Sequence, residues 1–463
     1  MRTDHRTRRR LAVTVLAILV TALSAACSSS TAPASGPAPG PSALAQAGPV
    51  TVTLWYGLGG AAGKALQDAV AGFNAHNADH ITVQAVFQGD YDDTLAKYTS
   101  AIRDGNTPDM LLSNDVSTGF IHDAGQTVSA QDLAAANPGE LNLRDLRPAA
   151  RNYYTADGKL LSAPFNTSMP MLYVNDSLLA RAGVDTSTLT TMTGLDAAAR
   201  KIHSAIPGVA GFAEPQGDGW WFEQMTAAAG AEYCTPDNGR TGAGATAFSL
   251  NNPEQRASLE TITGLYTDGV ALDTGSDDDA LTQAFIAGKV AMMFNSSGVI
   301  GDLTTGGLTG YTALPIPVSG PARQAGAIIG GASLWVSGPG HDAAHQAASW
   351  KAISYLDSPP VQEQFSHASG YAPINVKVDQ SPTQQQFLAQ HPAWGAVMQE
   401  FNHTPASPAT AGCLSGALPR IRQAMITSLY RAFGGTTPFD GAVSQAQSTG
   451  TNIIKDYREQ AGQ

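Results

Sequence analysis

Apolar and polar residues alternate from Val50 to Tyr56, the two-residue period of a strand with one buried face. A Gly-rich turn follows, and Leu66, Ala69, Val70 and Phe73 then recur at i, i+3, i+4 and i+7, which predicts a helix. The alternation returns at Ile81, Val83, Ala85 and Phe87. A second helix is predicted from Tyr91 to Arg103, with Leu95, Tyr98 and Ile102 on one face, and a short apolar strand at Met110-Leu111-Leu112. Strands alternating with helices imply an α/β fold with a largely parallel, doubly wound sheet. In such sheets small ligands sit beyond the carboxyl ends of strands, which makes Tyr91 and Asp115 candidate binding residues. The pattern recurs later. A helix from Ala280 to Ala287 stops at Gly288, and a strand from Val290 to Phe294 runs into Asn295-Ser296-Ser297-Gly298. A further strand is expected within Ala325 to Val336, and helices around Ser349 to Leu356 and Ile421 to Phe433. The chain carries no internal repeat and no membrane-length apolar stretch after Leu23.

The N-terminus changes the picture. Arg2, Arg6, Arg8, Arg9 and Arg10 precede an apolar run from Leu11 to Leu23, a signal peptide too short to span a bilayer. It ends in Ser24-Ala25-Ala26-Cys27, similar to a lipobox, so Cys27 is the expected lipid anchor and residues 1–27 the leader. The Pro/Ala/Gly/Ser-rich residues 28–49 have the composition of a flexible tether. A freely secreted chain, with Cys27 inside a discarded peptide, is the alternative. The formal charge is -12, and removing residues 1–10, five Arg against Asp4, takes the remainder to about -16. Such a chain is not suited to nucleic acid or to an anionic membrane surface, and its membrane contact is expected through the anchor alone. With Cys27 lipidated, Cys234 and Cys413 remain in an oxidising compartment, where either a disulfide or two buried thiols are open to them.

Chemical motifs are few. Gly57-Leu58-Gly59-Gly60-Ala61-Ala62 matches a dinucleotide fingerprint in form, but an exported protein meets no nicotinamide pool, and glycine is abundant throughout this chain. Lys64 is followed by Ala65, and Leu58 stands six residues before it, so the phosphate-loop pattern fails at both ends. The histidines show no metal-ligand spacing, and no H-E-x-x-H or G-x-S-x-G element occurs. No cofactor or metal is expected. A secreted glycoside hydrolase, with two carboxylates brought together only by folding, stays as an alternative.

Five segments carry a family resemblance: Gln88-Gly89-Asp90-Tyr91, Pro164-Phe165-Asn166-Thr167-Ser168-Met169-Pro170, Gly288-Lys289-Val290-Ala291-Met292, Gly330-Gly331-Ala332-Ser333-Leu334-Trp335-Val336 and Gly370-Tyr371-Ala372-Pro373-Ile374. From about Val52 onward the chain resembles the extracytoplasmic solute-binding proteins of ABC importers, in the maltose-type group, and within it the glycerol-3-phosphate-binding branch. The resemblance implies a two-lobed periplasmic-binding-protein-like fold of type II, with a hinge between lobes. Residues 50–162 and 299–345 are expected in one lobe, and 163–298 and 346–463 in the other. It implies a monomer that captures a small hydroxylated solute, passes it to a membrane permease and does no chemistry.

Carried over by position, Tyr91, Asp115, Ser168, Trp220, Ser296, Ser297, Gly331 and Tyr371 line the ligand cleft. Asp115 is then a carboxylate accepting solute hydroxyls, so its removal should leave the fold intact. Trp220 is an apolar face, and Gly331 a place where backbone approaches ligand. Each has a plainer alternative: a capping carboxylate for Asp115, core packing for Trp220, Tyr91 and Tyr371, and a bulge for the glycine pair. Two positions depart from the family pattern. Leu414 stands where that branch carries a phosphate-holding arginine, and Gly217 where it carries an aromatic residue. Together they point away from a phosphate monoester and toward a larger or neutral polyol, a glycerophosphodiester or an oligosaccharide.

Overall fold

A computed structural model describes residues 37–462, apart from 218, 243 and 321–325. The leader, Cys27 and the first part of the tether lie outside the described residues. Residues 37–49, expected to be a free tether, lie on the body of the protein. The Asn137 amide donates to the Pro39 carbonyl at 2.9 Å, and Ala38 and Leu44 pack on the main core. Composition marked these residues as flexible, but two apolar side chains and one bonded carbonyl are enough to dock them.

The larger sheet contains β1 (Val50–Tyr56), β2 (Ile81–Phe87), β3 (Met110–Asn114), β4 (Thr127–Val128), β5 (Ala163–Ser168) and β9 (Gly330–Ser337), with β6 to β8 given below. The order is β2-β1-β3-β9-β4, and β5 also pairs with β9. Only β1 with β2 and β1 with β3 are parallel; β9 runs antiparallel to β3, β4 and β5. The sheet is therefore mixed, which corrects the expectation of a largely parallel one. A late strand returns from the second lobe and inserts between β3 and β4, and hydrophobic periodicity carries no information on strand direction.

The smaller sheet, β7-β6-β8, is wholly antiparallel and consists of β6 (Pro170–Asn175), β7 (Met292–Ser296) and β8 (Tyr311–Pro315). Its alternation divides two cores: Met171, Tyr173 and Met293 face the main core, whereas Leu172, Val174 and Phe294 face a second one. These memberships shift the expected lobe limits. Residues 163–168 pair in the larger sheet and 311–315 in the smaller one, the reverse of their assignment from sequence.

The helices used below are α1 (Gly60–His76), α2 (Tyr91–Asp104), α3 (Pro148–Tyr153), α4 (Trp220–Ala228), α5 (Ala343–Leu356), α6 (Pro359–Ser369), α7 (Pro408–Ala411), α8 (Leu418–Phe433) and α9 (Phe439–Ala461). Helix α2 shows how local sequence sets an element. Asp90 caps its first turn by accepting from Asp93 N–H, Asp92 and Asp93 complement the positive end of the helix dipole, and Gly105 ends it at φ 66°. Helices α1, α5 and α6 cover the larger sheet, whereas α4, α8 and α9 build the second core. Among the described residues no helix is long and apolar enough to cross a membrane.

Cys234 and Cys413 are joined in a disulfide, with Cα atoms 5.4 Å apart and a sequence separation of 179. Closing so long a loop restricts the unfolded chain, so Cys234→Ala with Cys413→Ala should lower stability by about 2–4 kcal/mol in denaturant unfolding. Two titratable thiols in the unreduced, denatured protein would contradict the bridge.

Asp357, just after α5, is fully buried, and neither carboxylate oxygen has a hydrogen-bond partner. Burial pushes its carboxyl well above the usual range. A raised folded-state value means the ionised form is disfavoured in the fold. The contribution of Asp357 to stability is therefore greatest below about pH 4 and falls as pH rises toward the folded-state value. Asp357→Asn should flatten this slope: its melting temperature relative to wild type should rise between pH 4 and pH 7, and a constant difference would exclude Asp357 as the cause.

Candidate functional site

The two sheets meet where the chain crosses between them. Met169 links β5 to β6, and the Ser297 turn leaves β7 beside it. Ser297 N–H donates to the Met169 carbonyl at 2.8 Å, and Ser297 Oγ accepts from Met169 N–H at 3.1 Å. Ser297 is fully buried, so this hydroxyl, expected to face a ligand, fastens one crossing to the other. Ser296 Oγ accepts from Gly298 N–H at 3.1 Å and shapes the same turn. A Cβ built on Gly298 would lie 3.4 Å from both Ser296 Oγ and the Tyr371 ring, so Ser296 and Tyr371 flank this glycine.

Tyr91 opens α2 and Asp115 follows β3, both at carboxyl ends of parallel strands as expected from sequence. Asn166, on β5, donates to the Tyr91 hydroxyl at 3.2 Å. Burial, then neighbouring Tyr371, and at a lower level Asp115, hold the Tyr91 phenol well above its ordinary range, with the Asn166 hydrogen bond opposing. Tyr371 is pushed up to about 12 by burial, again opposed by Asn166 and assisted by Asp115. Tyr91, Asn166, Tyr371 and Asp115 therefore form one cluster, and both phenols are protonated donors at neutral pH. Asn166 is its hub. Sequence reading quoted the stretch that contains Asn166 without selecting it, and its amide among the polar residues that close a fully buried strand was the available signal.

Asp115 corrects its expected role. Its Oδ2 accepts from Arg422 Nη2 at 2.8 Å, while Arg422 Nε donates to Glu223 Oε1 at 2.6 Å. The side chains are 8%, 7% and 0% exposed for Asp115, Arg422 and Glu223. Asp115 comes from the end of β3, whereas Arg422 on α8 and Glu223 on α4 belong to the second lobe, so the ion pair spans the cleft. Removal of Asp115 is not neutral to the fold, because it is a partner of a buried guanidinium. Glu223 lies three residues after Trp220, on the same side of α4, a spacing that could have drawn attention to it.

Trp220 lies on the opposite wall, 4% exposed. Its indole meets Trp221 edge-on at 5.3 Å, and Trp221 stacks on Phe294 at 5.2 Å within the second core. A Cβ on Gly330 would fall 2.8 Å from Trp220 Cζ2 and 2.9 Å from Ser168 Oγ, so Gly330 is where indole, serine and β9 converge. Gly331, the residue expected to admit ligand, has another task. At φ +111° a Cβ there would sit 1.9 Å from the Asn166 carbonyl oxygen, so Gly331 allows the irregular β5–β9 pairing.

Beside Arg422 a cavity of about 390 Å³ opens between α2 and α8, lined among others by Asp92, Thr99, Asn114, Gly217, Arg420 and Arg422. Gly217 sits against the 276–278 segment, where a Cβ would lie 3.3 Å from Ser276 O and 3.5 Å from both Asp278 carboxylate oxygens, so this position is closely packed on that side. Leu414, at the position of the missing arginine, is 9% exposed and packs with Tyr98, Leu111 and Trp335. Among the described residues no His, Cys, Asp or Glu cluster could hold a metal ion. The assembled groups, hydroxyls, an indole and carboxylates beside a guanidinium, are those that recognise hydroxylated molecules.

Two α/β lobes tied by adjacent crossings, with polar and aromatic residues from both converging between them, define a hinged solute receptor. The chain belongs to the bacterial extracellular solute-binding proteins, whose family model matches residues 68–393. This bears out the resemblance carried by the motifs, and the family is extracytoplasmic. The chain is 27% identical over 419 residues to the sn-glycerol-3-phosphate-binding periplasmic protein UgpB of Escherichia coli K12, covering 88% of this chain and 93% of that one. The Pectobacterium atrosepticum protein of the same name matches at 27% over 427 residues, 90% and 94% of the two chains. Among solved structures, UgpB of Mycobacterium tuberculosis in complex with glycerophosphocholine superposes with a TM-score of 0.76 at 18% identity, covering 88% of this chain and 98% of that one. The GacH receptor of Streptomyces glaucescens superposes at 0.73 with 21% identity, covering 88% and 99%.

Arg422 serves two carboxylates, so losing it should cost more than losing either one. Arg422→Met should lower stability by about 3–5 kcal/mol and Asp115→Asn by less, since Arg422 keeps Glu223 in that variant. The opposite order in chemical denaturation would show that the shared guanidinium is not the organising charge.

Proposed function

We propose that this chain is a lipid-anchored receptor that captures a glycerol-derived solute and delivers it to the permease of an ABC importer, by closing its lobes around the solute without chemical change. The observation that carries the choice of solute is the charge pattern at the cleft: in the described contacts Arg422 is already engaged by two carboxylates, Asp115 and Glu223, rather than held ready for a phosphate. A doubly charged phosphate monoester is poorly matched to it. A neutral polyol, or a diester whose single charge is offset by a cationic substituent, is better matched. The 390 Å³ cavity, within the usual range for small-molecule sites, meets this charged group at Arg422. UgpB of Mycobacterium tuberculosis, solved with glycerophosphocholine, supports the diester.

In this reading Tyr91, Tyr371, Ser168 and Ser296 supply hydroxyls, Trp220 an apolar face and Asp115 its remaining acceptor capacity, with Cys27 as the anchor. A second reading, a receptor for neutral oligosaccharides, is favoured by the indole wall at Gly330 and by the fold shared with the GacH receptor, solved with acarbose.

Calorimetry and thermal shift with glycerophosphocholine, glycerol-3-phosphate and maltotriose separate these readings. Without a charged phosphate anchor, worth about 1.5–3 kcal/mol, glycerol-3-phosphate should bind one to two decades more weakly than the diester. Comparable or tighter binding of glycerol-3-phosphate would overturn the choice of solute, and maltotriose alone raising the melting temperature would favour the sugar receptor.

A further inference from the structure

Arg240 lies in the second lobe, directly after the turn Asp237–Gly239, and its guanidinium is buried without a carboxylate among its hydrogen-bond acceptors. Nε donates to the Gly412 carbonyl at 2.9 Å, Nη1 to the carbonyls of Tyr153 and Thr155, and Nη2 to that of Ala411. Its central carbon stands 5.1 Å from the centre of the Tyr153 ring. These acceptors cluster at the carboxyl ends of α3 and α7, where helix carbonyls lack intrahelical partners and the helix dipole is negative. One cation thus answers two helix ends, which compensates for its removal from water. Burial still draws the guanidinium down to about 10, so it is charged at neutral pH.

The segment 407–413 receives bonds from both lobes. Asn238 donates to the Pro408 carbonyl at 2.8 Å, and Cys234 is bridged to Cys413, both from the second lobe. Asn152, beside Tyr153, donates to the Ser407 carbonyl at 3.0 Å from the first. Arg240 joins all three parts at once. Tyr153 in turn lies against the cleft charges: its phenol is raised by burial first and then by Asp115 and Glu223.

We infer that Arg240 is a positioning residue for solute capture, a pivot that holds both lobes to the 407–413 segment so that closure brings Asp115 back to Arg422. This rests on the hinged-receptor reading but not on any particular solute. A fork of donors is required, because a lysine reaching the same place has a point charge and cannot reproduce four bonds spread over two helix ends.

The test uses the full receptor carrying spin labels at Lys64→Cys and Lys201→Cys, one exposed site in each lobe, with distance distributions measured by electron–electron double resonance. Wild type should give a narrow distribution without ligand. Arg240→Met should at least double its width and weaken glycerophosphocholine binding at least tenfold. Arg240→Lys, which keeps the charge, should recover most of the lost melting temperature yet keep the broad distribution. A lowered melting temperature with a wild-type distribution in both variants would reduce Arg240 to a core staple and overturn the inference. If glycerophosphocholine fails to bind wild type, the choice of solute fails, and the ligand-free widths alone decide the role of Arg240.

Discussion

A guanidinium taken out of water must recover both its hydrogen bonds and its counter-charge, and Arg422 recovers them from two directions. Glu223 approaches from its own lobe and Asp115 from the other. The first contact is internal to α4 and α8, so it persists whatever the lobes do; the second exists only when they are together. Inter-lobe geometry is thereby linked to electrostatics, because drawing Asp115 away leaves a buried charge to be rehydrated. The tyrosines and Asn166 around Asp115 share this charged neighbour.

The wall opposite is set by sterics. Trp220 reaches across to β9 because position 330 has no side chain, and β9 can accept β5 next to it because position 331 has none either. Two adjacent glycines therefore solve two separate problems, one between lobes and one within a sheet. The paired hydrogen bonds between Ser297 and Met169 make two of the crossings a single strip, so they are expected to bend together rather than shear.

Much of the first lobe was legible in the sequence, because most of its strands and helices are amphipathic over five residues or more and carry clear stops such as Gly105. Tyr91 and Asp115 were found from the same pattern, since position after a strand is a local property. The insertion of β9 was not legible, because it depends on pairing between residues more than 200 positions apart. The Asp115–Arg422 pair spans 307 positions and leaves no periodic trace. The choice between Gly330 and Gly331 turned on a shift of one residue, and alternation cannot resolve that when neither position has a side chain to alternate.

The docking of residues 38–45 against Asn137 and the main core bears on how the protein sits at a membrane. With the chain secured from Pro39 onward, the lipid proposed for Cys27 would be separated from the folded body by roughly ten residues, a contour of about 35 Å at full extension. That is comparable to the thickness of a bilayer's hydrocarbon core and far less than a free tether reaching residue 49 would give. The first lobe would then stay close to the surface, with a restricted choice of the face it turns toward its permease.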